Sequence, residues 1–291
     1  MVLTPDISNL PYRLQNGVKF FELVAESVKR EILPGLYING WGYNGSIPGP
    51  TIQVYSGDCV NIRVVNHLPE PTSVHWHGLD VPNGMDGVPE IEPSPKIEPG
   101  GYFDYHFKIT NPPGTHMYHM HFNTPVQQMM GLGGAFIILS RRSSNIQRDY
   151  FLMLQEFTVS GLKMGEVMPG TCDLDPMSHD FNFFTMNGRC FPYVTPLQVK
   201  AGERVRIRLG NFGHDAHPIH IHGHQFAISA SDAVQNRLIK NTINVASGET
   251  YDLEFMANNP GNWPFHCHIP HHMSNNMQLA MGGMTTVISY Q

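Results

Sequence analysis

Apolar and polar residues alternate along this chain in short runs that end at Gly, Pro or Asn. Val60-Asn61-Ile62-Arg63-Val64 is one such run, and Phe103-Asp104-Tyr105-His106-Phe107 and Arg204-Val205-Arg206-Ile207-Arg208-Leu209 are others. A period of two buries one face of a strand and leaves the other wet. The pattern therefore predicts an all-β protein, and one dry face per sheet suits an antiparallel sandwich. The one helix candidate, Phe20 to Arg30, reads equally well as a strand.

The chain also repeats itself. Gly57-Asp58-Cys59-Val60-Asn61-Ile62-Arg63-Val64 returns as Gly202-Glu203-Arg204-Val205-Arg206-Ile207-Arg208-Leu209, an offset of 145 residues. Val74-His75-Trp76-His77-Gly78 returns at the same offset as Ile219-His220-Ile221-His222-Gly223, and Tyr118-His119-Met120-His121 returns 147 later as Phe265-His266-Cys267-His268. Between these, Gly101 to Phe107 is echoed by Glu249 to Phe255. Four matches in one order at nearly one offset indicate a duplicated β domain. The joint falls in Ser140 to Asn145, after the apolar strand Ala135 to Leu139, which gives domains 1–142 and 143–291.

Composition narrows the picture. With 41% hydrophobic residues, 28 Gly and 23 Pro, the 291 residues suit turn-rich globular domains rather than a coiled coil, collagen or a disordered chain. The net charge of −6, with no run of Lys or Arg, argues against nucleic acid or an anionic membrane as partner. No stretch approaches the roughly 20 apolar residues of a spanning helix. Pro5, Asp6 and Pro11 stand where a signal peptide would have a basic start and an apolar core, so either the protein stays inside the cell or the sequence is a processed form. Cys59, Cys172, Cys190 and Cys267 are too few for a disulfide scaffold; Cys172 and Cys190 could pair or remain free thiols.

The unusual entries are 17 His, nearly as many as the 18 Lys and Arg together, and 16 Met. Each repeat supplies two His-X-His pairs, and residues two apart on a strand point to one face. Eight imidazoles result: His75, His77, His119, His121, His220, His222, His266 and His268. A lone pair of this kind is as often structural as functional, but four in register across a repeat point to metal. The second repeat adds His217, Cys267, His272 and Met277, the two imidazoles, thiolate and thioether of a blue-copper electron-transfer centre. Cys267 alternates with its flanking histidines, so its side chain faces the other side of the strand.

These motifs resemble those of multicopper oxidases of the small, two-domain, laccase-like type. They read His75-Trp76-His77-Gly78, His119-Met120-His121, His217-Pro218-Ile219-His220-Ile221-His222-Gly223-His224, and His266-Cys267-His268 continuing to His272 and Met277. The resemblance implies two cupredoxin-like Greek-key domains in tandem and about four coppers per chain. By it, His75 and His220 would hold a type 2 copper, and His77, His119, His121, His222, His266 and His268 a type 3 pair. His217, Cys267, His272 and, axially, Met277 would hold type 1. Shifted back by the repeat offset, the type 1 positions fall on Thr72, Met120, Pro125 and Met130, so domain 1 should hold no type 1 copper. A nitrite-reductase-like protein would hold it there.

The implied activity is one-electron oxidation of a small-molecule donor at type 1, transfer through Cys267, and four-electron reduction of O2 to water at a trinuclear cluster. Asp86 matches the family's acidic residue near type 2 copper, a proton relay that orients a ligand; its bland alternative is a turn Asp before Gly87. The family's Glu after the His-Cys-His is absent, replaced by Pro270, His271 and Met273. A short linker makes it awkward to bring both domains' His pairs together within one chain, and the resemblance implies a homotrimer with interfacial clusters. Phenols and aromatic amines are the expected donors. Cu(I) or Mn(II) is the alternative, suggested by Met273, Met281 and Met284 near Met277 and by Met117, Met120, Met129 and Met130, which read otherwise as adaptable core filler. A non-catalytic copper carrier is the rival class, in which eight further histidines would have no purpose.

Overall fold

The computed structural model describes residues 1–142 and 144–291, and for residue 236 the backbone alone. The boundary expected at Ser143 thus lies outside the described residues. Phe20 to Arg30 is part of a strand, Val18–Leu33. Its alternation decides this, because Phe21, Leu23 and Ala25 turn to one face and are buried there.

Among the described residues the strands form four sheets. In the first, the order is Gly170–Asp173, Leu36–Tyr43, Val18–Leu33, Cys59–Asn66 and Tyr102–Lys108, with Arg13–Gln15 also paired to Val18–Leu33. Facing it is Gly49–Tyr55, Gly133–Leu139, Gly114–His119 and His75–His77. The third runs Phe183–Met186, Arg148–Phe157, Arg204–Asn211, Thr250–Met256, Phe226–Ser231 and Val234–Lys240. The fourth runs Leu197–Val199, Thr285–Tyr290, Asn262–Cys267, His217–Ile221 and Thr242–Val245.

The repeat seen in the sequence recurs in the ladders. Val18–Leu33 lies parallel to Cys59–Asn66, which lies antiparallel to Tyr102–Lys108; Arg148–Phe157, Arg204–Asn211 and Thr250–Met256 repeat that order. The sheets are therefore mixed rather than purely antiparallel.

One core holds Trp76, Tyr105, Tyr118 and Phe136, and another holds Leu209, Ile219, Phe265 and Cys267. A third, with Val28, Ile32, Ile38, Phe157, Phe183 and Cys190, joins early and late parts of the chain. The late strand Gly170–Asp173 adds to the early sheet in parallel with Leu36–Tyr43, an association that sequence alternation did not reveal. All four cysteines are free, so Cys172 and Cys190 are not paired. No helix is long and apolar enough to cross a membrane among the described residues.

Candidate metal centres

Packing fixes the first His pair. On the short strand His75–His77 the central Trp76 is fully buried against Tyr105, with ring centroids 5.3 Å apart and nearly perpendicular. With that aromatic anchored in the core, alternation turns His75 and His77 to the opposite face. The register then sets His75 across from His119 on Gly114–His119. His75, His77, His119 and His121 form one quartet with centroid separations of 5.3 to 6.2 Å. His77 Nδ1 lies 3.2 Å from His119 Nε2.

The second half repeats this. His220 lies across from His266, and Ile219 across from Cys267. His220, His222, His266 and His268 are neighbours at 4.8 to 5.9 Å, with His222 Nε2 3.0 Å from His266 Nε2. In both quartets, outer ring nitrogens are held by backbone carbonyls that aim the other nitrogen inward. His119 Nδ1 donates to the Met120 carbonyl at 2.8 Å, His266 Nδ1 to that of Cys267 at 2.7 Å, and His220 Nδ1 to that of Asn241 at 2.8 Å.

Cys267 points to the other side of its strand, into the core, as its alternation with His266 and His268 requires. There it meets two imidazoles from different segments. His217 and His272 bring their Nδ1 atoms within 3.1 Å of each other, and the Cys267 sulfur lies 3.5 Å from His272 Nδ1 and 3.9 Å from His217 Nδ1. All three side chains are buried. Met277 is not brought to this group: it is 52% exposed, on a positive-φ turn after Asn276.

The electrostatics suit a metal. Burial pushes both His119 and His272 down to about 3, and it lowers His77, His222 and His266 as well. The rings are then neutral at pH 7, with lone pairs free to ligate. Burial pushes the Cys267 thiol up to about 12, so its thiolate form calls for a cation beside it. Two imidazole nitrogens and a buried sulfur converging on one point are a donor set for copper.

The chain matches two family profiles, each described as multicopper oxidase, over residues 25–143 and 168–283. The solved blue copper oxidase from Nitrosomonas europaea superposes with a TM-score of 0.81 at 32% identity, covering 93% of this chain and 85% of that one. The chain belongs to the multicopper oxidase family. Members bind copper, with O2 as co-substrate, and share the cupredoxin fold seen here. Among curated relatives, multicopper oxidase mco of Staphylococcus aureus is 33% identical over 208 residues, 69% of this chain and 44% of that protein. A probable nitrite reductase-hydroxylamine oxidoreductase fusion protein of Kuenenia stuttgartiensis is 29% identical over 277 residues, 90% of this chain and 31% of that protein. The chain thus spans less than half the length of these two relatives.

In this multicopper oxidase the sequence reading missed Glu156. Its carboxylate is fully buried and accepts a hydrogen bond from His217 Nε2 at 3.0 Å, from the Asp215 N–H at 2.8 Å, and from the His214 N–H. Gly213 makes room for it, since a Cβ there would overlap the carboxylate. A carboxylate takes a proton on His217 Nε2 and leaves Nδ1, the atom facing Cys267 and His272, as the lone pair. The available signal was the one charged residue in a largely apolar stretch, Tyr150 to Phe157.

Asp86 stands against His75: its carbonyl lies 3.0 Å and its carboxylate 3.3 Å from His75 Nδ1. Phe184 stacks on His272 at 3.9 Å, and Asp215 lies 3.7 Å from His272 Nε2. His271 is exposed and meets His272 edge-on at 4.4 Å, while His224 bridges the His222 carbonyl and the Tyr290 hydroxyl.

The two quartets do not touch: among the described residues, no ring contact or hydrogen bond joins them. The first abuts the second half of its own chain, with His119 5.6 Å from Phe212 and His77 against Gly248. The second borders an open cavity of about 940 Å³ whose lining includes His220, His222, His224, Ile239 and Met256.

Proposed function

We propose that this protein is a laccase-like copper oxidase that couples one-electron oxidation of phenolic and aromatic donors to four-electron reduction of O2 to water. The observation that carries the reading is the His266-Cys267-His268 strand end, where one side chain enters a buried His2Cys group and its two neighbours enter a His quartet. Bound copper would supply reversible one-electron chemistry at the first group and multi-electron reduction of O2 at the second.

The chain's own residues have distinct tasks. His217, Cys267 and His272 would hold type 1 copper, and Glu156 fixes which nitrogen of His217 is offered to it. His75 and His220 would hold type 2 copper. His77, His119, His121, His222, His266 and His268 would hold the type 3 pair. Asp86 orients His75 and places a carboxylate where protons must arrive. Donors approach near His272, whose ring is walled on one face by Phe184.

We read residues 1–142 and 143–291 as two domains, and the assembly as a homotrimer whose clusters form between domain 1 of one chain and domain 2 of the next. The separation of the quartets within one chain supports this, as does the open cavity beside His220 and His222. So does the edge strand Val234–Lys240, which exposes Val234, Leu238 and Ile239.

Metal-ion oxidation is the second reading, favoured by one observation. Met164, Met168, Met177, Met277 and Met281 are all about half exposed or more, and soft thioethers favour Cu(I). Oxygen uptake by the copper-loaded protein, measured in parallel with dimethoxyphenol, Cu(I) and Mn(II), separates the readings. Fastest uptake with the phenol supports the first and fastest uptake with Cu(I) the second. A protein that binds about four coppers per chain yet consumes no oxygen with any donor is a carrier.

A further inference from the structure

We propose that Met284, not Met277, supplies the axial thioether of the type 1 centre. The assignment rests on the copper-oxidase reading and changes one ligand of its site. Met277 stands ten residues after Cys267, but the segment between His272 and the strand Thr285–Tyr290 does not run straight. After Asn276 the chain leaves the core. Asn276 itself is buried and pinned to a neighbouring segment, its side chain donating to the Lys163 and Glu166 carbonyls at 2.7 Å each and its own carbonyl accepting from Gly165 N–H at 2.7 Å. Met277, Leu279 and Met281 follow in solvent, with exposures of 52%, 108% and 52%.

The chain returns at Gly282 and Gly283. Gly282 N–H donates to the Met273 carbonyl at 2.7 Å, and Gly283 N–H donates to Asn275 Oδ1 at 2.8 Å. Neither position tolerates a Cβ, which would overlap Asn275 at Gly282 and the His272 carbonyl at Gly283. Gly283 also has φ +54°, a conformation that favours glycine. This tight return delivers Met284 between two of the copper ligands. Its N–H donates to the His272 carbonyl at 2.8 Å, and its carbonyl accepts from Cys267 N–H at 3.0 Å. Its side chain is fully buried and packs in the same core cluster as Cys267.

Residues 277–281 are therefore an excursion inserted between the ligand loop and the last strand, and the thioether that stays with the ligands is the one after it. An axial thioether acts as a weak, long ligand. A sulfur inside the dry core beside Cys267 can do this, whereas one on a half-exposed loop would have to leave solvent and unpin Asn276.

The test uses the full-length, copper-loaded protein and compares Met284→Leu, Met284→Gln and Met277→Leu by visible absorption, copper hyperfine splitting and reduction potential. Leu conserves volume, so the fold tolerates it; Gln offers an oxygen at the same place. Loss of the thioether removes electron density that stabilises Cu(II), so Met284→Leu should raise the potential, and the harder oxygen of Met284→Gln should lower it. Met277→Leu should match wild type in all three measurements. Shifts of equal sign in both Met284 variants would indicate repacking and overturn the assignment, as would no shift in either, or a shift in Met277→Leu alone. A wild-type protein that binds no blue copper would instead remove the underlying reading.

Discussion

Glu156 offers the sharpest test of how the buried His2Cys group is built. Replacing it with Gln keeps shape and removes one acceptor oxygen. If the amide oxygen stays with the His214 and Asp215 N–H groups, its NH2 faces His217 Nε2. That nitrogen must then accept, which moves the ring proton to Nδ1, 3.1 Å from His272 Nδ1 and facing the cysteine. If the amide flips, its NH2 meets two backbone donors and leaves them unsatisfied, at about 1–3 kcal/mol for each buried group. The group that orients a metal-binding imidazole is worth about 10–100-fold in affinity, or about 1.4–2.8 kcal/mol. Chelator competition followed at the blue absorption band should therefore show E156Q weaker for type 1 copper by that factor, with copper at the His sites retained. Wild-type affinity and an unchanged band in a folded E156Q protein would refute the argument that the carboxylate sets the His217 tautomer.

Three further outcomes follow from the same geometry. C267S should lose blue colour and oxygen uptake while keeping copper at the histidine quartets; uptake with a phenol that survives this change would show that electrons enter elsewhere. Light scattering should give about three times the 32.7 kDa chain mass, and I239E, on the exposed edge strand, should reduce it to one chain and abolish oxygen uptake while leaving the blue band. A wild-type protein active as a single chain would refute the interfacial cluster. In the copper-free protein, His119 and His272 sit at about 3 in the folded state against an ordinary 6.5. Between these values the unfolded chain binds the extra protons, so stability is full above about pH 6.5 and falls with acidification by about 1.4 kcal/mol per pH unit for each ring. Melting temperatures that stay flat from pH 7.5 to 5 would contradict that burial.

What was legible in the sequence was what a strand encodes locally. Alternation is a property of neighbouring residues, so it could place His75 and His77 on one face, Trp76 on the other, and Cys267 opposite His266 and His268 without knowledge of the fold. The ladders at His75 opposite His119 and His220 opposite His266 then assemble quartets from pairs already visible. Glu156 escaped because its meaning is not local. It lies 61 residues before His217 and comes beside it through the parallel pairing of Arg148–Phe157 with Arg204–Asn211, which ends at Leu154 opposite Asn211, just before the His214 turn. On our proposal, Met277 misleads for the complementary reason. Counting ten residues from Cys267 presumes a loop of fixed path, and loops have no period; the pinned Asn276 and the Gly282-Gly283 return decide which methionine reaches the core. The two centres therefore depend on different kinds of information. Strand periodicity specifies the histidine-rich face, while the cysteine face is braced by a carboxylate distant in sequence and, on our proposal, completed by the methionine that follows a surface excursion. Changes in that excursion can thus alter the cysteine centre while the eight histidines keep their register.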